Sequence, residues 1–161
     1  MNVLLYWLVW LSLIAFAAGE LAKSRRYAGA WSISATGAIL LAVHIVVAMA
    51  VRHGWSLESA LEATARQTND MFGLNWGGGV YVNYVFAVVW IAELFVWRQW
   101  PEGYASRPGW IKWSLRAFYA VIIVSAAVIF ATDWRRWMGA AILAVLVASW
   151  IKRAQSAKLS S

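Results

Sequence analysis

Residues 31–51 read WSISATGAILLAVHIVVAMAV, a run that contains no lysine, arginine, aspartate or glutamate. A helix in water needs a polar face, whereas a helix surrounded by lipid does not, so this run predicts a membrane-spanning α-helix. Further apolar runs, at residues 3–19, 80–97, 117–132 and 138–151, predict spans near residues 3–19, 79–97, 114–132 and 136–151. Only 13% of the residues are charged, and the mean hydropathy is +0.62. The sequence therefore predicts an all-α integral membrane protein, a bundle of about five transmembrane helices.

The longest polar stretch, residues 52–78, separates the second and third predicted spans. Ser56 can cap a helix there, and Glu58 would favour the first helical turn. We therefore expect an external amphipathic helix lying at the membrane interface. The glycine-rich end of the stretch, residues 73–79, is predicted to be a turn. A phosphate-binding loop is disfavoured because no strand precedes these glycines and no Lys-Ser or Lys-Thr follows them.

Basic residues are divided unevenly between the two ends of the predicted helices. If five helices alternate in direction, ten of the fourteen fall on one side and four, Arg52, Arg66, Arg135 and Arg136, on the other; the ten are Lys23, Arg25, Arg26, Arg98, Arg107, Lys112, Arg116, Lys152, Arg153 and Lys158. Cytoplasmic loops carry the excess of positive charge, so we expect the amino terminus outside and the carboxyl terminus in the cytoplasm. The expected location is a bacterial inner membrane.

The net charge of +7 is then explained by topology and by anionic lipid headgroups, and no nucleic-acid partner is expected. The chain is predicted to form one transmembrane helical domain over residues 1–153, followed by a polar tail at 154–161.

The chain is rich in tryptophan, with thirteen residues of this type. Most of them lie near the predicted ends of spans, where an indole ring can sit in lipid while its N–H reaches the wet interface. This predicted aromatic belt comprises Trp31, Trp55, Trp76, Trp97, Trp100, Trp110, Trp113, Trp134, Trp137 and Trp150. Trp7, Trp10 and Trp90 lie deeper, and each needs a packing partner, a neighbouring protein or a bound ring system.

Two ionisable side chains, His44 and Glu93, fall inside predicted spans, where such groups are costly. Their depths differ, so they do not form a proton path by themselves. Glu93 lies near the basic side, where an interhelical ion pair or snorkelling to the interface is expected. His44 can hydrogen-bond a neighbouring helix, or it can bind a haem, a chlorophyll-type pigment or a quinone, with Asn83, Tyr84 and Trp90 lining the site.

No catalytic or metal-binding residue is predicted, because the chain has no cysteine, no carboxylate at metal-ligand spacing from a histidine, and no Gly-x-Ser-x-Gly elbow. The first hypothesis is therefore a protein that is not an enzyme, a subunit or interaction protein of a membrane complex. Its expected partners are the lipid bilayer and other membrane subunits or a second copy. The alternatives are a binder of a tetrapyrrole, quinone or lipid-like ligand through His44, and a small transporter or channel component.

Small residues on the spans are expected to mark close contacts between helices. These residues include Ala15, Ala18, Gly37, Ala38, Ala42, Ala48, Ala126, Ala127, Gly139 and Ala140.

Overall fold

The computed structural model describes residues 3–129, 131 and 134–159, with side chains described as far as Gln155. Within these residues the chain is helical and contains no strand. The helices are α1 (Val3–Ser24), α2 (Ala30–Arg52), α3 (Leu57–Phe72), α4 (Gly79–Gln99), α5 (Pro101–Ser106), α6 (Gly109–Ile123) and α7 (Trp134–Leu159). A π-helical segment, Val124–Ile129, continues α6.

Five helical stretches are long and apolar enough to cross a membrane, which confirms the predicted all-α membrane bundle. They are Val3–Ser24, Ala30–Arg52, Gly79–Gln99, Gly109–Ile129 and Trp134–Gln155. The last of these is 22 residues long, although its apolar run covers only residues 138–151. The polar residues at both ends of that run are helical as well, and α7 continues to Leu159. The predicted end of the fourth span at residue 132, like residues 160–161 of the predicted tail, lies outside the described residues.

The first two helices form a tightly packed antiparallel hairpin held by small residues. A Cβ atom added at Gly19 would collide with Ser34, and one added at Gly37 would lie 3.0 Å from the Cβ of Ala15. The Ser12 hydroxyl donates a hydrogen bond to the Gly37 carbonyl at 2.8 Å. The predicted close contact at Gly37 is confirmed. The same prediction is wrong for Ala18, which is exposed because it lies on the outer face of α1.

The centre of the bundle is aromatic. The Phe16 ring packs edge-on against Trp90, with ring centroids 5.0 Å apart, and against Tyr119 at 5.1 Å. Phe86 contacts the same three rings, so α1, α4 and α6 meet at one group of aromatic side chains. Trp90 is only 4% exposed, which supports the interpretation that it packs within the protein.

The π-helical segment brings α7 close to the chain that precedes it. A Cβ atom at Gly139 would collide with the carbonyl of Ala127, so the glycine permits backbone contact at this point. The predicted close contacts at Ala127 and Gly139 are confirmed. The sequence does not predict the π-helix, because a change from i→i+4 to i→i+5 hydrogen bonds leaves no signature in composition or hydropathy.

A helix between the second and third spans is present as α3. The Ser56 hydroxyl accepts a hydrogen bond from the Ser59 amide at 3.1 Å, so Ser56 is the N-cap as expected. Gly73 ends the helix with φ of 68°, a left-handed conformation. Gly77 does not have a positive φ. A larger residue is excluded there because its Cβ would lie 2.5 Å from the Leu61 carbonyl oxygen. Close approach to α3 therefore explains this glycine.

Candidate functional site

Polar and charged side chains from several elements meet at one end of the bundle, where α1 and α4 end. We call this group the basic-end cluster. Its members are Glu20, Lys23, Glu93, Trp97, Tyr104, Arg107, Tyr119, Trp150 and Arg153. It joins α1, α4, α5, α6 and α7. The sequence predicts that charged residues of α1, α4 and α6, among them Glu20, Lys23 and Glu93, gather at this end, but it does not predict α5 or the contacts of α7.

Glu93, on the last turns of α4, is the centre of the first half of the basic-end cluster. Its Oε1 accepts hydrogen bonds from Arg107 at 2.5 Å and from the Tyr104 hydroxyl at 3.1 Å. Its Oε2 accepts a hydrogen bond from the Tyr119 hydroxyl at 2.5 Å. The predicted ion pair of Glu93 is therefore present, and its partner, Arg107, lies on the link between α5 and α6.

Glu20 is the centre of the second half. Its Oε1 accepts a hydrogen bond from Lys23 at 2.8 Å, and its Oε2 accepts one from the Trp150 indole N–H at 3.0 Å. The Glu20 carbonyl accepts a further hydrogen bond from Arg153 at 3.1 Å. These contacts tie the end of α1 to α7. The sequence places Glu20 and Lys23 at the same boundary as Glu93, but it does not predict that Glu20 bonds to α7, because the apolar run of the first span ends at residue 19 whereas the helix continues to Ser24.

Two predicted belt residues, Trp31 and Trp150, donate their indole N–H groups to other helices of the protein. Trp150 is 2% exposed and donates to Glu20, so its assignment to the belt is wrong. The Trp31 indole donates to the Leu94 carbonyl at 3.1 Å. A tryptophan near the end of a span can either anchor the protein at the interface or bond to another helix, so its position in the sequence does not distinguish these two roles. Other members, such as Trp110 and Trp137, are more than two-thirds exposed, as an interfacial anchor requires.

Aromatic rings connect the two halves of the basic-end cluster. Trp97 and Tyr104 are stacked, with ring centroids 5.7 Å apart. The Lys23 ammonium lies 4.7 Å from the Trp97 ring centroid and 4.9 Å from that of Tyr104, while the Arg107 guanidinium lies 3.9 Å from the same tyrosine ring. The Tyr104 ring is therefore contacted by two cations, Lys23, which pairs with Glu20, and Arg107, which pairs with Glu93.

Two members of the cluster lie outside the spanning segments and have shifted pKa values. Burial raises the pKa of Tyr104, the nearby Lys23 charge opposes that effect, and the Glu93 charge adds to it. Burial alone would lower the pKa of Arg107, but interaction with Tyr104 and Glu93 raises it above its usual value. At neutral pH, Tyr104 is therefore a protonated donor and Arg107 a cation.

The basic-end cluster is closely packed. The free space beside it is about 10 Å³, enough for about one water molecule, and it is lined by residues that include Glu20, Lys23 and Glu93. The Nε atoms of Arg107 and Arg153 are buried and have no hydrogen-bond partner among the described residues. The geometry therefore suits a cluster that holds helices together better than a site that binds a substrate.

His44 lies at a different level of the bundle, on the side of α2 that faces α1. Its Nδ1 is 3.0 Å from the carbonyl oxygen of Leu5. A carbonyl can only accept a hydrogen bond, so this contact places the proton on Nδ1 and leaves Nε2 of the neutral ring with a free lone pair. The predicted hydrogen bond to a neighbouring helix is confirmed.

The remaining predicted site residues are not gathered around His44. Trp90 lines an apolar cavity of about 70 Å³ between α1, α2, α4 and α6, and the lining of this cavity does not include His44, Asn83 or Tyr84. Asn83 is exposed on the outside of the bundle, and Tyr84 is half-buried. Sequence reasoning placed these residues at similar depth, but depth does not determine which face of a helix a side chain occupies.

Among the described residues, no group of three or more histidine, aspartate or glutamate side chains is placed to hold a metal ion. Comparison of the chain with protein-family models, with curated proteins and with solved structures finds no match.

Proposed function

We propose that this protein is a non-catalytic subunit or interaction protein of a membrane complex, and that it assembles with other membrane subunits or with itself through its outer helix faces. The observation that supports the proposal is the hydrogen bonding of the two partly buried carboxylates, Glu20 and Glu93. Both oxygens of Glu93 and both oxygens of Glu20 are engaged by the protein's own donors. These groups join helices, which leaves the outer surface for recognition of a partner.

The outer face of α2 is the best candidate for that surface. Its exposed positions are spaced by three and four residues, which places them on a single stripe. The stripe comprises Ser32, Thr36, Ile39, Val43, Val46 and Ala50. Small and β-branched side chains allow helices to approach closely and lose little rotamer freedom on contact, as is typical of helix interfaces in membranes. The Thr36 hydroxyl donates to the Ser32 carbonyl at 2.9 Å, so it adds no unsatisfied donor to this face.

The test is native mass spectrometry of gently extracted protein at its natural expression level. We expect an oligomer or a complex with other subunits, and we expect Ile39→Trp to dissociate it. Val88→Trp is the matched control on α4, because Ile39 and Val88 are 63% and 66% exposed. A wild-type monomer without partners would contradict the proposal, and equal effects of the two substitutions would exclude α2 as the interface.

We also propose the orientation and location derived from the charge distribution, with the amino terminus outside and the carboxyl terminus in the cytoplasm of a bacterial inner membrane. The chain has no cysteine, so single cysteines can be labelled without background. Ala28→Cys and Asn75→Cys place exposed thiols at opposite ends of the bundle. We expect a membrane-impermeant maleimide to label intact cells only at position 75. Labelling only at position 28 would reverse the orientation.

A second candidate function is supported by the environment of His44. Histidines that bind a metal through one ring nitrogen usually donate the other N–H to a carbonyl or carboxylate, and His44 donates Nδ1–H to Leu5. A haem or chlorophyll-type pigment could therefore be bound through the lone pair of Nε2. A quinone oxygen only accepts hydrogen bonds and finds no donor on Nε2 in this tautomer, so the contact with Leu5 supports the two pigments and not the quinone. We expect any visible absorbance of the purified protein to be lost in His44→Leu and kept in His53→Leu. Colourless wild-type protein would rule out both tetrapyrroles.

A further inference from the structure

A basic groove lies between the end of α1, the turn that follows it, and α7. Its volume is about 880 Å³. It is lined by Leu21, Lys23, Ser24, Arg25, Arg26, Val145, Ala148, Ser149, Lys152 and Arg153. Half of these residues are cations and none is acidic, so the groove favours an anion.

The cations differ in how far they are already engaged. Lys23 pairs with Glu20, and Arg153 donates to the Glu20 carbonyl, so both are held in place. Arg25 and Arg26 are exposed on the turn. Arg26 has φ of 54°, in the left-handed region, and the Tyr27 amide donates to the Ala22 carbonyl at 3.0 Å across the same turn. The turn therefore has a hydrogen-bonded backbone and carries two exposed arginines that line the groove.

The groove continues from its charged end onto apolar surface. Val145, Ala148 and Lys152 are exposed and spaced by three and four residues, so they follow one face of α7. Lys152 lies at the polar end of that face, and the two apolar residues lie one to two turns deeper in the span. A ligand that follows this face must have a charged end and an apolar body.

We propose that this groove binds an anionic phospholipid of the phosphatidylglycerol class, with the phosphate at Arg25 and Arg26 and an acyl chain along Ala148 and Val145. The hydroxyl groups of Ser24 and Ser149 already donate to carbonyls of their own helices, at 2.6 and 2.7 Å. Recognition therefore comes from charge, and a zwitterionic lipid would bring its own cation into a site that is already positive. The proposal depends neither on the proposed function nor on the orientation of the chain.

The experiment measures lipid binding to the purified full-length protein in nonionic detergent by native mass spectrometry. Phosphatidylglycerol is compared with phosphatidylcholine of the same acyl chains, and inorganic phosphate is added as a competitor. We expect phosphatidylglycerol to bind at least tenfold more tightly, and millimolar phosphate not to displace it because phosphate lacks the acyl contact. The double variant Arg25→Gln/Arg26→Gln is expected to bind phosphatidylglycerol about 30-fold more weakly, from about 1 kcal/mol for each cation and 1.4 kcal/mol for each tenfold change.

The control is Arg98→Gln/Lys112→Gln, which removes the same charge at the same end of the bundle but outside the groove. It should keep the wild-type affinity. Equal binding of the two lipids to the wild-type protein would overturn the proposal, and this comparison requires no variant to fold. An equal loss in both double variants would show general attraction to charge, and displacement by phosphate would show a phosphate site without lipid specificity; each result also overturns it.

Discussion

Replacing Glu93 by glutamine tests whether the basic-end cluster stabilises the bundle. The substitution preserves shape but removes the charge that pairs with Arg107, and it places an NH₂ donor among groups that are themselves donors. Breaking a buried ion pair by removing one partner costs about 3–5 kcal/mol. The side chains of Arg107 and Glu93 remain 20% and 14% exposed, so the guanidinium can regain some hydration. We therefore expect a loss of about 3 kcal/mol, the lower end of that range.

The assay is equilibrium unfolding of the purified protein in mixed micelles, with thermal unfolding as a second measurement. A loss of about 3 kcal/mol corresponds to a decrease in Tm of about 6–12 °C for a chain of this size. The matched control is Glu58→Gln, the same substitution at an exposed position in the first turn of α3. It should change the free energy of unfolding by less than about 1 kcal/mol, the upper value for a charge at an exposed helix N-terminus.

A double-mutant cycle separates the ion pair from other effects of the substitution. We expect Glu93→Gln/Arg107→Gln to be less destabilised than the sum of its single variants by about 1–3 kcal/mol, because the second change removes the unpaired charge left by the first. Additive losses, or a loss below about 1 kcal/mol for Glu93→Gln alone, would refute the assignment of Glu93 and Arg107 as a stabilising pair.

Two further predictions concern packing and pH. Gly37→Leu is expected to destabilise the bundle by about 3 kcal/mol, because its side chain would collide with Trp90. The control Gly109→Leu has open space around it and should be nearly neutral in the same unfolding assay. Similar losses at the two sites would be evidence against close packing at Gly37. The raised pKa of Tyr104 predicts that its contribution to stability is complete below the unfolded pKa near 10.0 and is lost as pH rises through the higher folded value. The tyrosinate absorbance of Tyr104, assigned by its absence in Tyr104→Phe, should therefore appear at higher pH in the folded than in the denatured protein; appearance at or below the pH of the denatured protein would contradict this.

The sequence predicts the spans because helices that face lipid consist almost entirely of apolar residues. It predicts α3 because the Ser56 cap is a signal that depends only on neighbouring residues. It did not predict how α4 connects to α6. That connection contains α5, a short helix that places Arg107 beside Glu93 although the two residues are 14 apart in sequence. Ion pairing between distant residues depends on the path of the chain and on side-chain direction, and neither is encoded in hydropathy.

The candidate ligand site shows the same distinction between depth and direction. The sequence indicates His44 as a site residue because an imidazole at membrane depth needs a partner, and the structure supplies the Leu5 carbonyl. Asn83 is indicated by its depth alone, and in the structure it is exposed. The periodicity of α4 could not show which side packs, since apolar residues surround the helix on every side and a lipid-facing side chain resembles a buried one.

Helices in a membrane gain little from the hydrophobic effect when they associate, because lipid chains are as apolar as the side chains they replace. Their register must therefore come from close packing and polar contacts. Here Gly19 and Gly37 supply close packing between α1 and α2, and the basic-end cluster supplies polar contacts among α1, α4, α6 and α7. Since α1 packs against both α2 and α7, it separates the outer stripe of α2 from the groove at α7. The proposed partner and the proposed phospholipid would therefore occupy separate surfaces, and we expect Ile39→Trp to disrupt assembly without changing phosphatidylglycerol affinity. Loss of both together would show that one surface serves both ligands.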